Sequence, residues 1–185
     1  MMNNHSFKDH FLIAMPGLAD PRFSQSVTYI CEHNKRGAMG IIINQPANIS
    51  YSELFNQLQL NDQYDDHSSL LIGGPVQKER GFVLHTSEKK WSSTLAVSEK
   101  ISITGSKDIL TDIANHKGPD SALIALGYAG WNAGQLEDEI KQNSWLTVPA
   151  EEQIIFNTPT EKRWTYAAKQ LGIDLNLLSP QAGHA

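Results

Sequence analysis

Two strand-forming segments joined by a four-residue turn most strongly limit the folds open to this chain. Residues 27–33 are rich in β-forming side chains, and residues 38–44 contain three consecutive isoleucines. The residues between them, Asn34-Lys35-Arg36-Gly37, favour a turn because Asn and Gly tolerate positive φ. The pattern predicts a β-hairpin. Since hairpins pair strands in antiparallel fashion, it disfavours a purely parallel, doubly wound sheet.

The rest of the chain alternates between apolar strand-like segments and capped helices. Further strands are predicted at residues 11–15, 70–72, 81–86, 95–97, 101–104, 121–128 and 145–148. Helices are predicted after four starts: the capping box Ser50-x-x-Glu53, a Ser106 cap, the glycine-rich turn 127–134, and Thr158-Pro159-Thr160-Glu161. We therefore expect an α+β domain with a mixed, largely antiparallel sheet.

Length and charge narrow the functional classes. The chain has 185 residues, 15 Lys and Arg against 20 Asp and Glu, and a formal net charge of −5. A single domain fits this length, and the acidic balance argues against direct binding to nucleic acid. The single cysteine favours a reducing compartment. No segment is predicted to be a signal peptide or a membrane span, so we expect a cytoplasmic protein that does not associate with membranes.

A thiol, a carboxylate and an imidazole stand together at Cys31-Glu32-His33. On a strand, Cys31 and His33 would share one face, so a nucleophile and a base lie within reach of each other. The alternative is that Cys31 is a small core residue. The seven histidines show no His-x-x-x-His spacing and no Cys-x-x-Cys accompanies them. A metal site assembled from His33, His85 and Glu32 stays open, but we expect no metal and no cofactor.

Two further features could bind an anion. Arg80 could hold an acidic group with its planar guanidinium, or pair with one of the chain's own carboxylates. Residues 127–134 lie between a predicted strand and helix, as phosphate-binding loops do. They lack the Gly-x-Gly-x-x-Gly pattern, and the carboxylates at Glu137, Asp138 and Glu139 would repel a phosphate.

An ordered series of motifs resembles the AlgH/YqgE family of bacterial proteins. The matching segments include Phe11-Leu12-Ile13-Ala14-Met15-Pro16, Tyr29-Ile30-Cys31-Glu32-His33-Asn34, Gly73-Gly74-Pro75-Val76, Arg80-Gly81-Phe82-Val83-Leu84-His85 and Leu126-Gly127-Tyr128-Ala129-Gly130-Trp131. The resemblance implies a single α+β domain whose bent, bifurcated sheet forms a pseudo-barrel with flanking helices. It places that domain at residues 11–175, between a flexible N-terminus (1–10) and a frayed tail (176–185). The family carries the label of transcriptional regulator, so the resemblance also implies a regulatory role.

Two functions are therefore in competition. The first is a non-enzymatic binding or regulatory protein that acts through a protein or a small ligand instead of direct DNA contact. Its candidate binding surface consists of polar residues at strand ends and turns: Glu32, His33, Asn34, Arg80, His85, Asn132 and Gln135. The second is a hydrolase-like enzyme with a composite site of Cys31, Glu32, His33 and His85. A weaker third option is an assembly role through an exposed Trp91 or Trp145.

Overall fold

A computed structural model describes residues 6–18 and 20–172. Ten strands are present in this part of the chain: β1 (His10–Ala14), β2 (Val27–Asn34), β3 (Gly37–Ile42), β4 (Pro46–Ser50), β5 (Ser69–Ile72), β6 (Val76–Thr86), β7 (Thr94–Ala96), β8 (Ile101–Thr104), β9 (Ala122–Asn132) and β10 (Trp145–Pro149). The helices are α1 (Tyr51–Gln57), α2 (Asp108–Ala114), α3 (Gln135–Lys141), α4 (Glu152–Phe156) and α5 (Arg163–Lys169). A 3-10 turn, Thr160–Lys162, precedes α5.

The strands form one curled, bifurcated sheet. Eight of them follow the order β10-β1-β2-β3-β9-β6-β8-β7, and β4 and β5 branch from this path. All pairs are antiparallel except β5 with β9. The predicted α+β domain with a bent, largely antiparallel sheet is confirmed, the sheet curling into a half-barrel, and so is the β2–β3 hairpin.

Strand β9 changes partner at Gly127. Its first half pairs with β5 through Leu71↔Ala125 and Ile72↔Leu126, and its second half pairs with β3 from Gly40↔Ala129 to Gly37↔Asn132. Along its other edge β9 pairs with β6 from Ala122 to Tyr128, with a register shift between Val76 and Gly81. Gly127 itself has φ +76°, and a Cβ there would lie 2.5 Å from the carbonyl oxygen of Gly74. Only glycine allows this positive φ together with such a close backbone approach.

Three predicted element boundaries are wrong. Residues 127–132 continue strand β9 and do not form the predicted turn into α3. Gly127 instead permits β9 to change the strand with which it pairs. Ser106 does not cap α2; Lys107 holds the N-cap position, and the Ser106 hydroxyl donates to the Asp108 carboxylate at 2.5 Å. Thr158 does not cap α5, because its hydroxyl donates to the carbonyl oxygen of Gln153 at 3.1 Å. Strand β4 and helix α4 were not predicted.

The helices cover three apolar clusters on the curled sheet. In the largest cluster, α4 and α5 contribute Ile154, Ile155, Ala167 and Ala168 against β1, β2 and β3. Helix α3 packs through Leu136 onto β1, β9 and β10. Helices α1 and α2 pack through Phe55 and Ile109 onto β5, β6 and β9. The Ser50 hydroxyl accepts from the Glu53 N–H, as the capping box predicts.

The predicted flexible and frayed ends fall largely on residues 1–5 and 173–185, which lie outside the described residues. Residues 6–9, by contrast, contact the start of the sheet. The Phe7 N–H donates to His33 Nδ1 at 2.8 Å, and the Asp9 N–H donates to the carbonyl oxygen of Ile30 at 2.9 Å. This segment is therefore tied to β2.

Candidate functional site

A cavity of about 680 Å³ opens where β9 passes from one branch of the sheet to the other. We call it the central cavity. Its apolar wall continues the largest core cluster, because Met39, Phe82, Ile103 and Tyr128 belong to both. Leu95 and Val76, which are 41% and 36% exposed, lie at its mouth. Its polar lining consists of Glu32, Gln77, Arg80, Ser93 and Asn132.

Three residues of the predicted binding surface meet in this cavity: Glu32 from β2, Arg80 from β6 and Asn132 from the end of β9. Alternate residues on a strand share a face, so Arg80 lies beside Phe82. The guanidinium carbon is 4.9 Å from the centre of the Phe82 ring, a cation–π contact. Arg80 also donates to the Gln77 side-chain oxygen at 3.3 Å.

Glu32 and Arg80 are open to a ligand. Within residues 6–18 and 20–172, no ion pair involves either side chain. The cavity therefore presents a carboxylate and a guanidinium whose charges are both unmatched, above aromatic and aliphatic side chains. Of the two readings of Arg80 from the sequence, pairing with one of the chain's described carboxylates does not occur.

Gln135 lies in a neighbouring cavity of about 370 Å³, which shares Val76, Gly130 and Trp131 with the central one. Its side-chain oxygen accepts from the Asn132 N–H at 3.0 Å, and its amide nitrogen donates to Glu139 at 2.8 Å. Gln135 thus fixes the start of α3 to the end of β9.

His33 and Asn34 lie outside these cavities and have local partners. The His33 ring stacks on Phe7 with centroids 5.6 Å apart, and its Nε2 is 3.2 Å from a carboxylate oxygen of Glu137. The Asn34 side-chain oxygen accepts from the Arg36 N–H at 2.8 Å, which closes the β2–β3 turn. Asn34 therefore stabilises the hairpin turn, whereas His33 connects the end of β2 to Phe7 and to α3.

His85 is fully buried within the sheet. Its Nδ1 donates to the carbonyl oxygen of Thr86 at 2.8 Å, and its Nε2 accepts from the Thr104 hydroxyl at 2.7 Å. The Thr104 oxygen lies 2.7 Å from that of Thr94, which extends the chain of hydrogen bonds toward β7. Burial lowers the pKa of His85, because it disfavours the charged imidazolium.

The composite hydrolase site is not assembled. Cys31 is 0% exposed inside the largest core cluster, and burial raises the pKa of its thiol far above the usual range. A β-bulge between Ile30 and Glu32 shifts the register of β2. Because a bulge interrupts the alternation of side chains, Cys31 faces the core while His33 contacts Phe7 and Glu137. The prediction that Cys31 and His33 share a face is wrong.

The remaining sequence hypotheses concern metals, assembly and membranes. Within the described parts of the chain, no group of three or more His, Cys, Asp or Glu side chains could hold a metal ion. Trp145 is 3% exposed and does not supply the exposed anchor that an assembly role requires, whereas Trp91 is half-buried and its indole donates to Asp112 at 2.8 Å. Among residues 6–18 and 20–172, no helix has the length and apolar character needed to cross a membrane.

Sequence reasoning did not identify the apolar lining, above all Phe82, Tyr128 and Trp131. The alternation along β6 contained a usable signal, because Arg80 and Phe82 are two residues apart and must share a face. Tyr128 lies where the predicted strand 121–128 overlaps the predicted turn 127–134, so its facing direction could not be inferred. Once β9 is known to continue to Asn132, Tyr128 is placed on the sheet.

Comparison with known proteins gives consistent matches along the chain. A family model described as AlgH-like matches residues 11–176. A UPF0301 protein of Saccharophagus degradans is 56% identical over 181 residues, covering 97% of this chain and 89% of that protein. A UPF0301 protein of Thioalkalivibrio sulfidiphilus is 52% identical over 186 residues, with full coverage of both chains.

Solved structures also match this chain, and two of them show the range of similarity. The solution structure of the AlgH protein from Pseudomonas aeruginosa has a TM-score of 0.80 at 48% identity, covering 100% of this chain and 99% of that one. The crystal structure of protein DIP2367 from Corynebacterium diphtheriae has a TM-score of 0.74 at 19% identity, covering 97% and 94%. The second match supports the fold alone.

Proposed function

Because the chain belongs to the AlgH-like family, we propose that it is a ligand-binding regulatory protein without a catalytic step of its own. The central cavity is the site at which it binds a small amphipathic molecule. The protein changes the behaviour of a protein partner when that molecule is bound. Its effect on transcription is therefore indirect.

The unpaired Glu32 and Arg80 in the central cavity carry this proposal. A cavity of about 680 Å³ falls within the range usual for small-molecule sites. Such sites combine mostly apolar walls with a few polar groups that orient the ligand. An acidic group of the ligand contacts Arg80, a hydrogen-bond donor contacts Glu32, and a flat apolar body lies against Phe82 and Tyr128.

The charge of the protein supports an effect on transcription without direct contact to DNA. The formal charge is −5, and the polar lining of the cavity supplies one carboxylate for its one guanidinium. Binding to DNA depends on several cationic contacts to phosphate, and this chain does not concentrate its lysines and arginines on one segment. The proposal includes a cytoplasmic location, which the single free cysteine favours.

The test has two arms. Native mass spectrometry of protein purified without denaturant should show a co-purified small molecule, and gentle denaturation should release it. In the second arm, the aromatic sulfonate 8-anilinonaphthalene-1-sulfonate is titrated into ligand-stripped protein while its fluorescence is followed. We expect saturable binding to one site, and NMR shift changes at Phe82, Tyr128 and Trp131.

Two leucines of matched exposure supply the control. Leu95 lies at the cavity mouth and is 41% exposed, whereas Leu171 follows α5 and is 39% exposed. Leu95→Glu should weaken probe binding at least about tenfold, because it places a carboxylate beside the sulfonate, and Leu171→Glu should leave it unchanged. Equal effects of the two substitutions would reject the central cavity. Salt-dependent, sequence-specific DNA binding in a gel shift would reject indirect action.

A further inference from the structure

We propose that a second cavity is a binding site for a straight-chain aliphatic carboxylate of medium length. This lateral cavity, about 260 Å³, lies between β6, β9 and the helices α1 and α2. Arg80 is the one charged residue that it shares with the central cavity. The lateral cavity is a separate space with its own aliphatic lining, and it shares one anion-binding side chain with the central cavity.

The walls of the lateral cavity are aliphatic. They are formed by six side chains from four elements: Leu54, Leu58, Val83, Leu110, Ile124 and Leu126. Val83 and Ile124 are buried in the sheet, whereas the four leucines are only half-buried in the free protein. An alkyl chain in this space would remove their remaining exposed surface from water, which is the main favourable contribution to binding an apolar group.

Gly81 leaves the base of this cavity empty. It precedes Val83 by two residues on β6, so a side chain at Gly81 would point to the same face as Val83. A Cβ built on Gly81 meets no atom within 4 Å. The space that a side chain would fill is therefore open to a ligand, and a larger residue can be introduced there without a clash.

The mouth of the cavity is positively charged. Arg80 and Lys107 both line it, with Glu79 as the one acidic residue. Within the described residues, no ion pair involves Arg80 or Lys107. Gly105 permits the close position of the guanidinium, since a Cβ there would lie 3.3 Å from Arg80 Nη2. Two unpaired cations above an aliphatic pocket, in a chain of net charge −5, fit an anionic head on an alkyl chain.

This geometry defines which ligands bind. The alkyl chain enters between the leucines, and the carboxylate lies between Arg80 and Lys107. Each methylene group that becomes buried tightens binding about fourfold, until the cavity is filled. An alcohol of equal length lacks the charge, and an alkylammonium ion is repelled by both cations.

The experiment is a calorimetric and NMR titration with a series of sodium carboxylates from butanoate to decanoate, each below its micelle concentration. We expect affinity to rise with chain length and then to level off, with shifts centred on Val83, Leu110 and Leu126. At equal length, the acid should bind more tightly than the alcohol, and the alcohol more tightly than the ammonium ion. Equal affinity for acid and ammonium ion would overturn the proposal.

Substitutions at the cavity separate this site from the central one. Gly81→Leu fills the cavity and should abolish carboxylate binding, while its melting temperature and NMR spectrum report that the fold is retained. Lys107→Gln should weaken binding up to about fivefold, Glu79→Gln should tighten it, and Lys90→Gln, an exposed lysine outside both cavities, should have no effect. Carboxylate binding that survives Gly81→Leu but is lost in Leu95→Glu would assign the acid to the central cavity and refute this proposal.

Discussion

Replacing Gly127 with alanine tests whether the change of partner in β9 depends on glycine. The residue has φ +76°, and a Cβ would lie 2.5 Å from Gly74 O, 3.0 Å from Val76 O and 3.2 Å from Lys78 Cα. All three are backbone atoms, so no side-chain rotation can relieve the contact. Relief requires Gly74, in the connection between β5 and β6, and the start of β6 at Val76 to move away from β9.

Two costs add in the Gly127→Ala variant. Left-handed backbone is about 1–2 kcal/mol less favourable for alanine, and overpacking a filled site costs about 1–3 kcal/mol. We expect the free energy of unfolding to fall by about 3 kcal/mol, which for a chain of this size corresponds to a melting temperature about 6–12 °C lower. A domain of ordinary stability tolerates this loss and remains folded.

Gly130→Ala is the matched control. Gly130 lies on the same strand, and a Cβ there would meet Tyr128 Cε2 at 3.5 Å and Val76 Cγ2 at 4.0 Å, which are ordinary contacts. Both variants reduce the entropy of the unfolded chain equally, so that effect cancels between them. Gly130→Ala should remain within about 1 kcal/mol of the parent protein.

Urea unfolding, followed by tryptophan fluorescence and by circular dichroism, measures both variants. The urea midpoint of Gly127→Ala should fall. The slope of the free energy of unfolding against urea concentration should stay constant, because the surface exposed on unfolding is unchanged. If Gly127→Ala and Gly130→Ala unfold at the same urea concentration, glycine is not required for the change of partner and the reasoning fails.

Three more predictions concern single side chains. Glu139→Met removes the carboxylate oxygen that accepts from the indoles of Trp131 at 3.0 Å and Trp145 at 2.9 Å. The free energy of unfolding in urea should fall by about 2–4 kcal/mol. A loss below about 1 kcal/mol would show that water replaces the carboxylate as the acceptor. Cys31, being 0% exposed, should react with a disulfide reagent more than about a thousandfold more slowly in the native protein than in urea, and rapid native labelling would contradict its burial. The pKa of His85 in the folded protein is lowered from 6.5, so below pH 6.5 the unfolded chain binds one more proton than the folded chain and the free energy of unfolding falls. His85→Gln should reduce this fall, measured as urea midpoints from pH 7.5 to 5. An unchanged dependence of the midpoint on pH would contradict the prediction.

Local chemistry explains which parts of the fold were predictable. The turn at 34–37 and the capping box at Ser50 and Glu53 act through contacts a few residues apart, so their sequence patterns determine them. The region 127–132 was misassigned because glycine there accommodates a strand from a distant part of the chain, which no local pattern reveals. Thr158 does not cap α5 for a different, local reason, because its hydroxyl donates to the carbonyl oxygen of Gln153.

The candidate site was partly predictable for the same reason. Their position at strand ends and turns selected Glu32, Arg80 and Asn132 as candidates, and the structure brings these three to one cavity. The bulge between Ile30 and Glu32 could not be inferred from composition, and it separated Cys31 from His33. The lateral cavity was missed entirely, because it depends on helices from two separate segments that meet over β6.

The position of β9 determines the order in which the protein can acquire its structure during synthesis. Strand β3 ends at Ile42, yet its second partner begins at Ala122, and β1 pairs with β10, which begins at Trp145. A nascent chain that ends before Ala122 can pair β1, β2 and β3 with one another, but the outer edges of β1 and β3 still lack their partners. Such unpaired edges promote aggregation, and pairings between distant segments form slowly. The chain therefore completes its core only when its last third has left the ribosome.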